Sequence, residues 1–177
     1  AELEQADEQR TNMAGESELS ADDRARVDMN LGYLAATANN LQLTAFHYER
    51  ALDTLERAVQ ADPTRISTRK VYAQCLGDLG WVRQAERKLE PSVALLRKAL
   101  EVYSDLLAKT PQDSGMVGDK ARFHANLGIV YSTLGDHASA LEQYRHGLDT
   151  HRKLAAMYPN APEHQLSCAT TQNALGL

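Results

Sequence analysis

Phenylalanine occurs twice and tryptophan once in this chain, and aromatic residues make up only 6% of its 177 residues. Sheets rely on aromatic and β-branched side chains to fill their pleated faces, so this shortage, beside abundant Leu and Ala, argues for helices. Cysteine is equally scarce. Cys75 and Cys168 stand 93 residues apart without a Cys-x-x-Cys spacing, which excludes a disulfide framework and carries no redox signal. No apolar run approaches the roughly 18 residues that cross a bilayer, and no secretory leader is visible at the start, so no membrane partner is expected. Basic residues are not in excess either. The formal net charge of -5 argues against nucleic acid, which needs a basic face. What remains, 43% apolar and 24% charged residues, is the composition of a soluble globular domain with a full core, and a cytoplasmic setting is the expectation.

Catalytic signatures are missing as well. The six histidines, His47, His124, His137, His146, His151 and His164, form no His-Glu-x-x-His and pair with no cysteine at zinc-site spacing. There is no Gly-x-x-x-x-Gly-Lys-Ser/Thr and no Gly-x-Gly-x-x-Gly. The stretch "SGMVGDK" at 114–120 has two glycines and a lysine without phosphate-loop spacing, and reads as an inter-repeat loop with a first helical turn. No kinase catalytic-loop or metal-loop triplet occurs. Carboxylates such as Glu86, Glu90, Asp22 and Asp23 read as solvated surface and helix caps. The chain is therefore expected to be no enzyme and to hold no cofactor and no metal.

A repeat is what the sequence does have. Leu31-Gly32 returns as Leu79-Gly80, Leu127-Gly128 and Leu175-Gly176, each step being 48 residues. Pro63, Pro111 and Pro159 keep the same interval, as do Leu52, Leu100 and Leu148, and Tyr48, Leu96 and Tyr144. Four markers sharing one period divide the chain into a single array: a partial unit at 1–19, repeats at 20–63, 64–111 and 112–159, and a truncated unit at 160–177. The chain is thus expected to start and end inside repeats.

Each unit predicts two helices. Ser20 and Asp23 make a capping box before a helix to about Asn39, and a second helix from about Leu41 to Ala61 is stopped by "ADP". The following pairs are expected at about Thr68 to Lys88 and Pro91 to Lys109, then Gly118 to Leu134 and His137 to Met157, with Asp136 as an N-cap. A last helix is expected from near Pro162. Glycine beside leucine inside a helix costs about 1 kcal/mol. It is tolerated where a neighbouring helix must come close. Small residues recur at the other contact points, Ala51, Ala99 and Gly147, and Thr44, Ser92 and Ala140, with bulky Tyr48, Leu96 and Tyr144 between them. This is a large-into-small code for antiparallel hairpins that stack.

These elements, above all "LGIVYSTLGDHASALEQYRHGL", resemble the tetratricopeptide repeat (TPR) family, and the resemblance covers essentially the whole chain. Asn39 and Gly135 match its turn position, Thr44, Ser92 and Ala140 its small residue opening the second helix, and Tyr131 its first-helix aromatic. The 48-residue spacing exceeds the about 34 usual for the family and is similar to the long-helix variety of large bacterial multidomain proteins, some of them serine/threonine kinases. The second unit departs most. It has Arg83 where the third has Tyr131, and Arg87 where a turn glycine is expected, so its first helix is expected to run to Lys88 or a turn beyond.

The resemblance implies an all-α solenoid of antiparallel hairpins in a right-handed superhelix, whose concave groove is lined by first helices. Carried across, the groove positions are Arg26, Met29, Tyr33, Ala36 and Thr37; Gln74, Gly77, Trp81, Gln84 and Ala85; Arg122, Ala125, Ile129, Ser132 and Thr133; and Thr170 and Asn173. Tyr33, Trp81 and Ile129 fall in register as an apolar ladder, suited to an extended or helical peptide. The alternative is that Tyr33 and Trp81 pack between repeats as core. Arg26 and Arg122 would favour an acidic or phosphorylated flank on that peptide. Asn30 and Asn126 match one position of the lysine-and-asparagine clamp that some members use for terminal carboxylates. Its lysines are absent at Met29, Gly77 and Ala125, which disfavours a chaperone-tail receptor. The function expected is a protein-interaction scaffold taking a protein or peptide in its groove. The alternatives are a non-catalytic regulatory region of a larger signalling enzyme, such as a bacterial serine/threonine kinase, and self-association through open repeat ends.

Overall fold

In a computed structural model, the structure describes residues 19–158 and Ala169. Residues 1–18 of the partial unit and all of the truncated unit except Ala169, with Thr170, Asn173 and Leu175 among them, lie outside the described residues. Six helices follow one another: α1 (Ala21–Thr37), α2 (Leu41–Ala61), α3 (Ile66–Ala85), α4 (Leu89–Lys109), α5 (Ser114–Thr133) and α6 (His137–Met157). They pair as three hairpins, α1 with α2, α3 with α4 and α5 with α6, and each second helix packs on the next first helix. The fold is an all-α, TPR-like helical repeat.

The 48-residue period reaches into the backbone. Asn39, Arg87 and Gly135 have φ of 57°, 64° and 82°, the left-handed conformation that ends a helix. One residue later the amide nitrogens of Asn40, Lys88 and Asp136 donate to the carbonyl oxygens of Ala35, Arg83 and Tyr131 at 2.9, 2.8 and 2.9 Å. The same three residues are the N-caps of α2, α4 and α6. Asn40 and Asp136 accept from the backbone of Leu43 and Ser139, as expected of caps, whereas Lys88 has no side-chain cap bond. Here the sequence expectation fails at Arg87. The helix ends at Ala85 instead of running on, because the turn geometry is shared by all three hairpins and Arg87 adopts it without being glycine. A second correction concerns "SGMVGDK", which lies wholly within α5. The side chain of Asp113 accepts from the Met116 amide at 2.9 Å and starts the helix a turn earlier than expected.

The Leu-Gly pairs seat the bulky residues of the second helices. A Cβ on Gly32 would meet the Tyr48 ring at 2.9 Å, on Gly80 the Leu96 side chain at 2.8 Å, and on Gly128 the Tyr144 ring at 2.7 Å. Glycine is needed at this position because two helix backbones close on one large side chain. A continuous core runs from Ala25 through Leu55, Leu76 and Tyr103 to Phe123 and Val130. Between the second and third hairpins the Tyr103 and Phe123 rings stack at 5.8 Å.

Candidate peptide-binding groove

The backbones of the first helices approach one another, α1 to α3 and α3 to α5, whereas among the described residues no such approach joins the second helices, where α2 and α4 are linked by the longer reach of the Lys98–Glu56 ion pair at 3.4 Å. Elements in mutual contact sit on the inner side of a bend, so the α1–α3–α5 face is the concave one among the described residues. Along it, Asn30, Asp78 and Asn126 share one repeat position, and Tyr33, Trp81 and Ile129 lie one turn further on. The three apolar residues are 64%, 41% and 37% exposed. Tyr33 and Trp81 are therefore not the core residues of the alternative reading.

Among the described residues, two hollows lie in this face. The larger, of about 610 Å³, is lined by Tyr33, Ala36, Thr37, Tyr48, Asp78, Trp81, Arg122 and Asn126. The smaller, of about 230 Å³, is lined by Arg26, Met29, Asn30, Tyr33, Tyr48, Gln74 and Asp78. Eight of the groove positions expected from the sequence thus line the two hollows: Arg26, Met29, Tyr33, Ala36, Thr37, Gln74, Trp81 and Arg122. Met29 forms floor more than surface, being buried. Ile129 and Ser132 are exposed outside both linings. Gln84 is half-buried outside them, with its Oε1 buried and lacking a hydrogen-bond partner.

Two residues were missed by reading the sequence. Tyr48, taken as hairpin packing, presses its ring on Gly32 and still reaches both hollows. Burial, and then the charge of Asp78, push its phenol well above the ordinary range. Asp78 also lines both. Its 48-residue register with Asn30 and Asn126 was the available signal. Arg122 Nη1 donates to Asp78 Oδ1 at 2.8 Å, and Nη2 to Asp119 Oδ1 at 3.1 Å, while the guanidinium lies 4.5 Å from the centre of the Phe123 ring. Tyr103 donates its hydroxyl to the other oxygen of Asp119 at 3.0 Å. Burial raises the Asp78 carboxyl above the usual range, although Arg122 pulls it down. Arg122 is therefore committed to two carboxylates, whereas Arg26 is exposed and has no ion pair among the described residues.

Cys75 is buried, and burial drives its thiol far above the ordinary range, away from reactivity. Among the described residues no group of His, Cys, Asp and Glu could hold a metal ion, and no helix is long and apolar enough to cross a membrane.

Residues 125–164 match the family model of the tetratricopeptide repeat. The chain is also similar to the solved N-terminal domain of stress-induced protein-1 (STI-1) from C. elegans, at 19% identity over 88% of this chain and 99% of that one, with a TM-score of 0.49. It is similar to the MamA protein at 14% identity, over 86% of this chain and 88% of that one, with a TM-score of 0.35. No curated protein matches. The matched stretch takes in the second half of α5 and all of α6, and the six helices form three hairpins of a TPR-like repeat.

Proposed function

We propose that the chain is a non-catalytic scaffold holding an extended or helical segment of a partner protein along the α1–α3–α5 face, centred on Tyr33 and Trp81. The observation that carries this reading is the ladder. One repeat position is apolar in all three hairpins, yet Tyr33, Trp81 and Ile129 remain 64%, 41% and 37% exposed on a concave face. Large aromatic side chains kept in a hollow are the residues that dominate binding energies. Peptide display against the folded protein tests it. Selected peptides should bind Trp81→Ala at least about ten-fold more weakly, with the melting temperature held. Peptides that bind Trp81→Ala as well as the parent would show that the groove is not the docking surface. The same scaffold role would serve a regulatory region of a larger signalling enzyme.

Self-association has one observation in its favour. Val27 and Leu34 are 48% and 60% exposed, although the residues at their positions in the later hairpins, Cys75 and Phe123, Val82 and Val130, are all fully buried at 0%. Such an uncovered apolar face can take a second molecule. Sedimentation of the parent and of Leu34→Asp separates the two readings. A dimer abolished by Leu34→Asp supports stacking, and a monomer at all concentrations removes it.

A further inference from the structure

The larger hollow combines three aromatic side chains with the carboxylate of Asp78. Tyr33 and Trp81 present exposed rings, Tyr48 closes the wall, and Asp78 sits among them. Ring faces attract cations, most strongly where water is partly excluded. Asp78 and Asp119 share the single guanidinium of Arg122, so this cluster carries a net negative charge. Arg122 occupies only Oδ1 of Asp78.

Building on the groove reading above, we propose that the larger hollow receives the side chain of a basic residue, lysine or arginine, from the partner segment. Its aliphatic stem lies along the Tyr33 and Trp81 rings, and its charged head reaches Oδ2 of Asp78. Long basic side chains divide in this way between an apolar surface and a polar tip. Three guests compete for the hollow. An acidic side chain would bring its charge against Asp78; Arg122 lines the hollow too, but its guanidinium is already held by Asp78 and Asp119, and Arg26 lines only the smaller hollow. A purely apolar one would cover the rings and strip water from Asp78 without replacing it. A basic one does both tasks.

Trp81, the only tryptophan of the chain, reports directly on this hollow. The probes are three blocked pentapeptides, Ala-Leu-X-Leu-Ala, with X as lysine, norleucine or glutamate, titrated against the full chain by tryptophan fluorescence. The lysine peptide should bind about ten-fold or more tightly than the norleucine peptide, and the glutamate peptide most weakly. Asp78→Asn should erase the lysine preference. Because that change also loosens Arg122, Tyr33→Ala serves as a second variant at an exposed site, and it should weaken lysine binding with an unchanged melting temperature. The proposal is overturned by norleucine or glutamate binding as tightly as lysine, by a preference that survives Asp78→Asn, or by no binding of the lysine peptide at millimolar concentration. If those results come with displayed peptides that still require Trp81, the groove reading stands and only the basic guest falls. If displayed peptides ignore Trp81, both fall.

Discussion

A single repeated glycine shows how residue-scale sterics set the spacing of the hairpins. At Gly128 a methyl group would sit 2.7 Å from the Tyr144 ring, whereas at Gly118, on the same helix, the nearest atom to such a methyl is 3.8 Å away. Alanine is the better helix former by about 1 kcal/mol. Gly118→Ala should therefore stabilise the protein by roughly 0.5–1 kcal/mol. Gly128→Ala should destabilise it by about 1–3 kcal/mol in spite of the same propensity gain. Urea denaturation of the two variants measures both, and equal effects would mean that α5 and α6 can move apart freely. Arg87 makes the opposite case. Its φ of 64° strains a side-chain-bearing residue, and Arg87→Gly should raise stability by up to about 1 kcal/mol, read from the same titrations.

Within elements, equivalent positions carry different chemistry. In the first hairpin Asp28 of α1 binds His47 at 3.3 Å, and Arg50 also binds Asp28. In the third, His124 Nδ1 meets Gln143 Oε1 at 2.8 Å, with the His146 ring 5.4 Å from that of His124. In the second, the same two positions are Leu76 and Leu95, one in the core and one against it. Burial pushes the His124 imidazole below its ordinary range; Gln143 opposes this, and His146 adds to it. A depressed histidine contributes stability that is present above the unfolded value of about 6.5 and lost as pH falls through the folded one. The melting temperature should drop between pH 7.5 and 5.5. Copying the second hairpin with His124→Leu and Gln143→Leu should shrink that drop, and an unchanged pH profile would remove His124 from its cause. The hairpins themselves were legible in the sequence, because Leu-Gly, the small second-helix residues and the prolines mark local contacts at a fixed interval. Asp113 was missed as a cap because Gly115 and Gly118 gave the stretch the look of a loop. Asp78 escaped notice because its role depends on Arg122, 44 residues away in the chain, a contact that no local pattern encodes.

For the whole molecule, neighbours decide the worth of a side chain. Leu34 and Val82 occupy one repeat position, 60% and 0% exposed. Val82→Ala should cost about 2 kcal/mol and Leu34→Ala less than about 1 kcal/mol, in denaturant titrations of the two variants. Among the described residues, backbone contacts run only between adjacent helices and between successive first helices, so no distant parts of these hairpins must find each other before structure forms. Such a topology folds fast, on a microsecond-to-millisecond scale, and can nucleate in any hairpin. Opening, by the same reasoning, need not be all-or-none. A destabilising change in α6 should speed amide exchange in the third hairpin and leave the first largely protected, so the molecule can fray from one side while its remaining hairpins stay folded.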